Sequence, residues 1–306
     1  MSPELASFMI SQSYGLPSVA LYILTIFIIL KYRKAFSSSF FILFIYDGFM
    51  NLFTYSLTFL TLRLNSVTCK TCLLGPFYDN IGSFIPLTFV NAMGFHMAYV
   101  QYSITTLVSL NRLSVLVNYN FMEPIWKKYT WFFILIIYVV PFLNTHIAFK
   151  YEAKSVYYNG SGEYYSIEAE NLPRDAILSV VIPFTVIATV ISVAVNITSI
   201  CIVHNLKTQI RGKAEANFLV IMSITCAVQV LGTSITVALS IMQMSPFVMN
   251  LVYALPYVSD GLTLIQPWLL VCFSYAMRQQ VKMSFGWEPN SQAPSNQLFQ
   301  MRSNTS

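Results

Sequence analysis

Residues 16–30 read Leu-Pro-Ser-Val-Ala-Leu-Tyr-Ile-Leu-Thr-Ile-Phe-Ile-Ile-Leu and are followed at once by Lys31-Tyr32-Arg33-Lys34. An uncharged apolar run closed by a basic cluster is the pattern of a segment that enters a bilayer and stops at its cytoplasmic face. No basic n-region precedes the run and no A-x-A type site follows it, so it reads as an uncleaved signal anchor. A spanning helix needs about 20 mostly apolar residues to cross a hydrocarbon core about 30 Å thick. Six further runs meet that demand: Phe40 to Leu62, Phe84 to Val108, Trp131 to Phe149, Ile177 to Val203, Ala216 to Met242 and Phe247 to Tyr275. The chain is therefore expected to be all-α, a seven-transmembrane helix bundle.

Composition agrees. Of 306 residues, 56% are hydrophobic and 9% charged, against roughly 25% charged in an average soluble domain. That leaves too few Lys, Arg, Asp and Glu to cover a water-facing surface. The net charge of +5 raises a nucleic-acid partner, but the cations form no dense or aromatic-interleaved basic face of the kind that holds a phosphate backbone. The surroundings read as the lipid bilayer, and nucleic acid is set aside.

Orientation follows from the cations, because cytoplasmic loops carry the excess of Lys and Arg. With the N-terminus outside and the C-terminus cytoplasmic, Lys31, Arg33, Lys34, Arg112, Lys127, Lys128, Lys207, Arg211, Lys213, Arg278, Lys282 and Arg302 lie inside. Only Arg63, Lys70, Lys150, Lys154 and Arg174 lie outside, among seven acids. The sequon Asn159-Gly160-Ser161 falls in the long outer loop and marks Asn159 as a glycosylation site, whereas the sequons at Asn196 and Asn304 fall in a span and in the tail and read as chance matches. Residues 1–285 form one transmembrane domain without internal repeats. Its last segment, with Met277, Val281 and Phe285 at four-residue spacing, is an amphipathic helix on the inner leaflet. Residues 286–306, rich in Pro, Ser, Asn and Gln, are expected to be a disordered cytoplasmic tail.

Ionisable groups within a membrane are costly and by default functional. Two acids fall inside the runs, Asp47 and Asp260. Asp47 shares a helix face with Asn51 at i+4; the pair reads as a conformational switch or cation site, or as a protonated glue between helices. Asp260, His96 and Asn91 lie in the outer half of their spans and are candidates for a ligand pocket, a packing role being the alternative for each. At the inner end of the third span, Asn111-Arg112 sets an obligate cation at the boundary, where it can bond neighbouring helices or merely snorkel. Pro267 in Gln266-Pro267-Trp268 frees a carbonyl deep in the last span and offers a hinge; Pro183, Pro86 and Pro141 are kink candidates in spans five, three and four. Cys69 and Cys72, in the first outer loop, are a candidate local disulfide, and Cys201, Cys226 and Cys272 read as small core residues.

Enzyme chemistry lacks its motifs. There is no G-x-S-x-G, H-E-x-x-H or P-loop, and His96, His146 and His204 lie on different spans at different depths, so no catalytic residue, metal or cofactor is expected. No Lys falls within a span, which excludes a retinal Schiff base.

Seven runs, an outside N-terminus and Asn111-Arg112 at the end of span three resemble a G-protein-coupled receptor. The departures from the rhodopsin-like pattern are Asn111-Arg112-Leu113, Gln266-Pro267-Trp268-Leu269-Leu270, a sixth span without proline and a second outer loop without Cys. Over residues 10–285 the chain resembles the nematode serpentine chemoreceptors, class gamma most of all. Tyr14-Gly15-Leu16-Pro17-Ser18, Ser39-Phe40-Phe41, Tyr46-Asp47-Gly48, Arg63-Leu64, Gln101, Ser109 to Arg112, Trp126, Ser259-Asp260 and Gln266-Pro267 carry the likeness.

The resemblance implies a chemosensory receptor at the plasma membrane, in sensory-neuron cilia, that binds a small-molecule ligand from outside and signals to a heterotrimeric G protein. Asp47, Asn51, Asn111, Arg112 and Pro267 are the residues expected to switch and couple. The rival reading is a membrane transporter or a ligand-gated chemoreceptor channel. Transporters usually show paired repeats and broken helices, and the channels of this kind place the N-terminus inside. Asn159→Gln is expected to abolish the endoglycosidase-sensitive gel shift of the expressed protein; a shift that persists places the glycan elsewhere or the loop inside.

Overall fold

A hydrocarbon solvent offers the backbone no hydrogen bonds, so an apolar run must close its own, and a helix does so within one segment. The computed structural model of the chain describes residues 3–64, 68–69, 72, 74–159, 163–205, 211–241, 246–284 and 286. Among them are seven helices of 20 residues or more: α1 (Pro3–Lys31), α2 (Ser39–Thr58), α4 (Leu87–Val117), α5 (Tyr119–Val139), α7 (Arg174–Asn205), α8 (Arg211–Ile241) and α9 (Pro246–Phe273). Shorter helices are α3 (Gly75–Asp79), α6 (Phe142–Thr145) and α10 (Tyr275–Ser284). Five of the long helices, α1, α2, α5 with α6, α7 and α8, are long and apolar enough to cross a membrane. Of the other two, α4 carries much of the polar interior and α9 buries Asp260 and Thr263.

The helices pack as a bundle around α4, which touches α2, α5, α7 and α8, while α9 packs on α8, α2 and α1. Large apolar side chains point outward, among them Ile187, Val190 and Ile197 of α7 and Trp131, Leu135 and Val139 of α5. Asp47, Asn51, His96, Asn111, Gln229 and Thr263 are buried. Apolar outside and polar inside is the arrangement of a multi-pass membrane protein. Many of the hydroxyls bond back to their own helix: Thr105 to the Gln101 carbonyl at 2.9 Å, Thr106 to Tyr102 at 2.8 Å and Ser109 to Thr105 at 3.1 Å. The α4–α7 seam is then joined by Thr106 with Ser192 at 2.8 Å and by Asn196, which donates to Ser109 at 3.2 Å. Asn196 is thus a packed seam residue, whatever its sequon.

Among the described residues one element departs from an all-α chain. The acidic loop holds an antiparallel hairpin, β1 (Lys154–Asn159) and β2 (Glu163–Glu168), with Tyr157 opposite Tyr165 and Tyr158 opposite Tyr164. Val, Ile and Tyr suit a pleated surface, and the cross-strand Tyr rings sit 5.0 and 5.4 Å apart. The Tyr165 backbone N–H donates to Thr68 and its hydroxyl to Asp79, so the hairpin lies across one end of the bundle. Beside it Tyr78 is fully buried, its hydroxyl donating to the Leu60 carbonyl, and burial holds that hydroxyl well above its usual pKa. The opposite end, which carries α10 with Met277 fully buried against the bundle, is called here the α10 end.

Helix ends differ from the apolar runs at several points, beginning with α1, which starts at Pro3 and not near Leu16. The central helix α4 runs on past the expected end of span three, and α5 starts at Tyr119, capped by the Asn118 side chain accepting from Phe121 N–H at 3.3 Å. Pro86 and Pro141, expected as kinks, stand at helix starts, where the missing N–H is no loss. The turn residues of the sequon, Gly160 and Ser161, together with Lys207, Asn304 and the tail beyond Gly286, lie outside the described residues.

Gly48 marks a close approach of α1 and α2, since a Cβ there would meet Ile26 Cδ1 at 2.8 Å and Tyr22 Cε2 at 3.0 Å. Gly48→Val is expected to cost about 1–3 kcal/mol through overpacking, read as a lower melting temperature in detergent. Gly94→Ala, with nothing within 4 Å of the new Cβ, serves as the neutral comparison.

Candidate functional site

The buried polar residues gather into three centres along the bundle. At the hairpin end, α2 finishes in a π-helical turn, Phe59–Arg63. Its final side chain, Arg63, is 5% exposed and forms an ion pair with Asp260 of α9, itself 3% exposed. The same Arg63 nitrogen donates to the Pro256 carbonyl at 2.6 Å, and its guanidinium lies 5.2 Å from the Tyr257 ring centre. Tyr14 of α1 donates its hydroxyl to the same carboxylate oxygen. Gly15 beside it gives room to Tyr55, whose hydroxyl would lie 2.3 Å from a Cβ at that position. Three helices therefore meet on one carboxylate.

Midway along, Asn51 donates to Asp47 at 2.9 Å and to the Tyr22 hydroxyl at 3.0 Å. Gln101 of α4 approaches Asn51 at 3.4 Å, and Tyr22 donates to Gln266 of α9 at 3.2 Å. A cavity of about 10 Å³ adjoins this network, lined by Asp47, Thr105, Thr225 and Gln266 with apolar neighbours; that is the space of roughly one water molecule. Below Asp260, Ser18 accepts from Trp268 Nε1 at 2.8 Å. Ser7 with Tyr257, Tyr14 with Asp260, Tyr22 with Gln266 and Ser18 with Trp268 make α1 and α9 a continuous polar seam.

At the α10 end, Ser38 precedes α2 and offers no side-chain cap. The acceptor comes from α5 instead: Glu123, 4% exposed, takes the Ser39 N–H on one oxygen and the Ser39 hydroxyl on the other, both at 2.7 Å. A carboxylate at a helix N-terminus meets the positive end of the dipole. Asn111 donates to the same Ser39 oxygen at 2.9 Å. Arg112 is held between the Phe40 and Phe218 rings, its guanidinium carbon 4.0 and 4.2 Å from their centres.

Residues 8–281 match the family described as Srg family chemoreceptor. The chain belongs to that family. It is also 26% identical over 292 residues to the serpentine receptor class gamma-31 of Caenorhabditis elegans, covering 92% of this chain and 93% of that one. The expected kinship with class gamma serpentine receptors is borne out, and with it a chemoreceptor role in the membrane. In this Srg chain several of the residues that carry the likeness are contact residues: Tyr14, Gly15 and Ser18 face Tyr55, Asp260 and Trp268, while Ser39 and Phe40 face Asn111 and Arg112.

Asp47 and Asn51 come together, as do Asn111 and Arg112 with the start of α2. Pro267 lies inside α9 between two of the partners of α1, Gln266 and Trp268. Asp260 and His96 face different neighbours. His96 is fully buried on the α5 and α6 side, with Nδ1 3.0 Å from the Thr145 hydroxyl and the Phe142 ring tilted against it at 4.1 Å. Half-buried Asn91 keeps an Nδ2 without a hydrogen bond among the described residues. Cys69 and Cys72 are joined by a disulfide.

Two residues of these centres escape a reading of the sequence. Arg63 follows its apolar run directly and counts there as a loop cation. Glu123 stands four residues before Lys127, the spacing of an ordinary surface pair. Arg63→Ala or Asp260→Ala leaves one charge buried alone and is expected to cost about 3–5 kcal/mol. The double change Arg63→Met with Asp260→Leu recovers most of it, and chemical denaturation of these variants beside the parent in micelles checks that order of stabilities.

Proposed function

We propose that the chain is a seven-helix plasma-membrane receptor with the N-terminus outside, which binds a small molecule at the hairpin end and signals from the α10 end to a heterotrimeric G protein. The observation that carries this reading is the placement of the buried polar groups: a charged centre near each end, the Asp47 network between them, and the α1–α9 seam joining the hairpin-end centre to that network. Asp260, with Asn91 and His96 on the α4 side, is assigned to ligand recognition. Asp47, Asn51 and Pro267 form the switch, and Asn111 with Arg112 forms the coupling face. Charge supports the orientation, since the long loop that carries the hairpin is acidic and the other end is rich in Lys and Arg. Sensory-neuron cilia are the assigned site of action, following the family.

A ligand shifts such a bundle only by binding one state more tightly than the other, about 1.4 kcal/mol for each tenfold change in the equilibrium. An epitope tag ahead of Met1 should be detected on intact transfected cells; detection only after permeabilisation overturns the topology and the receptor reading with it. In cells that give a calcium response to one of a panel of odorants and secreted small molecules, Asp47→Asn is expected to shift the half-maximal concentration at least tenfold. An unchanged response removes Asp47 from the switch. Ligand-evoked current in cells lacking G proteins would assign the protein to the channels.

A further inference from the structure

The hairpin has two faces, because successive side chains of a strand point to opposite sides. Tyr157, Tyr165 and Ile167 share one face and pack onto the bundle. Val156, Tyr158, Tyr164 and Glu168 share the other, where the valine and both tyrosines are exposed. Exposed apolar side chains that adjoin one another mark a site of contact more than scattered ones do. The chain that leaves β2 runs back beside this face and starts α7 at Arg174. Between the two runs is a groove of about 770 Å³, lined by Val156, Tyr158, Glu168, Glu170, Arg174 and Asp175 with apolar neighbours. Ligand clefts span about 300–1,000 Å³. Two of the neighbours, Ala169 and Leu172, are buried in the same apolar cluster as Tyr165 and Ile177, which anchors the groove to the bundle.

The lining is set for a cation. The Tyr158 ring is held twice: Tyr164 stacks on it, with centres 5.4 Å apart and planes 20° apart, and its own hydroxyl donates to Glu168 Oε2 at 2.7 Å. A ring fixed in this way offers its uncovered side to a cation at little entropic cost. The other Glu168 oxygen accepts from the Ser166 hydroxyl at 3.3 Å, which leaves the carboxylate acceptor capacity to spare. Glu168, Glu170 and Asp175 are set against Arg174 alone among the lining residues, and its guanidinium stays 3.9 Å from Glu168 with 52% of the side chain exposed. An ion pair that long and that exposed is weak, so Arg174 competes for the carboxylate without saturating it. Lys154, opposite Glu168 across the hairpin, is paired with Glu152 at 3.3 Å and is not among the lining residues. An anion is poorly served in the same place, because Asp175 stands in the first turn of α7 and offsets the positive end of that helix.

We propose that this groove binds a small organic cation, an ammonium on an apolar or aromatic body, with the charged head between the Tyr158 ring and Glu168 and the body along Val156. The site lies apart from the recognition assigned to Asp260, Asn91 and His96, none of which is among its lining residues; it goes beyond that reading and does not depend on it. Glu170 and Asp175 add negative potential around the groove, which concentrates cations there and fades with salt. Arg174 gives the inference a sign. Removing a competitor strengthens binding, whereas damage to the fold weakens it.

The test is a saturation-transfer NMR titration of the purified full chain in phosphatidylcholine nanodiscs, with empty nanodiscs as the blank. Three probes of similar body and different charge are compared: phenethyltrimethylammonium, phenethyl alcohol and hydrocinnamate. The ammonium should bind at least about tenfold more tightly than the alcohol, and the carboxylate should bind most weakly. Glu168→Gln should weaken the ammonium about fivefold and leave the alcohol unchanged. Tyr158→Leu should weaken it about three- to fivefold, while Tyr158→Phe, which keeps the ring, stays near the parent. Arg174→Gln should tighten it about two- to threefold. Equal binding of the three probes, no saturable binding of the ammonium below about 10 mM, or an ammonium affinity that Glu168→Gln leaves unchanged or Arg174→Gln lowers overturns the inference. Nanodiscs expose both ends of the protein, so the outcome is independent of the proposed topology and of the signalling partner.

Discussion

A polar side chain on a helix in hydrocarbon has no water to turn to, and this one constraint arranges most of the molecule. Asp47, Asn51, Asn111, Gln229 and Asp260 all point inward because outward is far more costly. Once inside, each requires a partner on another helix, and those partners decide which helices touch. The ion pair between Arg63 and Asp260 is the sharpest instance. It ties the end of α2 to the middle of α9, and the hydroxyl of Tyr14 draws α1 to the same point. Apolar packing fills the space between these ties without choosing among the neighbours, since lipid tails are as apolar as leucine.

The helices were legible in the sequence because each is a long apolar run, and the kinship with serpentine receptors was legible because its residues are scattered contact points along those runs. Boundaries were less so. The central α4 outruns its apolar stretch because Asn111 and Arg112 are buried by neighbours, which hydropathy does not register. The hairpin has its own cue in the paired tyrosines, but one outweighed by the length and acidity of the loop around it. Asp47 and Asn51 could be paired from spacing alone, since they share a helix face. Arg63 with Asp260, and Glu123 with Ser39, lie 197 and 84 residues apart, and no local pattern announces such pairs.

The three polar centres differ in what they leave unsatisfied. At the α10 end one serine is shared by a carboxylate and an amide, so the start of α2 is defined by residues of α4 and α5 and not by its own cap. At the hairpin end a single carboxylate oxygen takes donors from two helices, while Asp260 Oδ1 is buried with no hydrogen bond among the described residues. Asp47 Oδ2 beside the small cavity is in the same condition. Buried acceptors of this kind are costly to leave empty, which gives a bundle of otherwise interchangeable apolar faces a small number of places where composition matters greatly.

The hydroxyls of the α4–α7 seam behave differently. Thr106 and Ser109 already bond within their own helix, so for them the partner across the seam is an addition and not a necessity. Replacing one of them with alanine takes a single bond from Ser192 or from Asn196, which keeps its bond to the Ser192 carbonyl, and shifts the spacing by no more than an atom or two. Such a seam can drift over generations without a compensating change next door. A lineage of receptors built this way can explore new interiors in single steps, provided the few ionic ties are left alone.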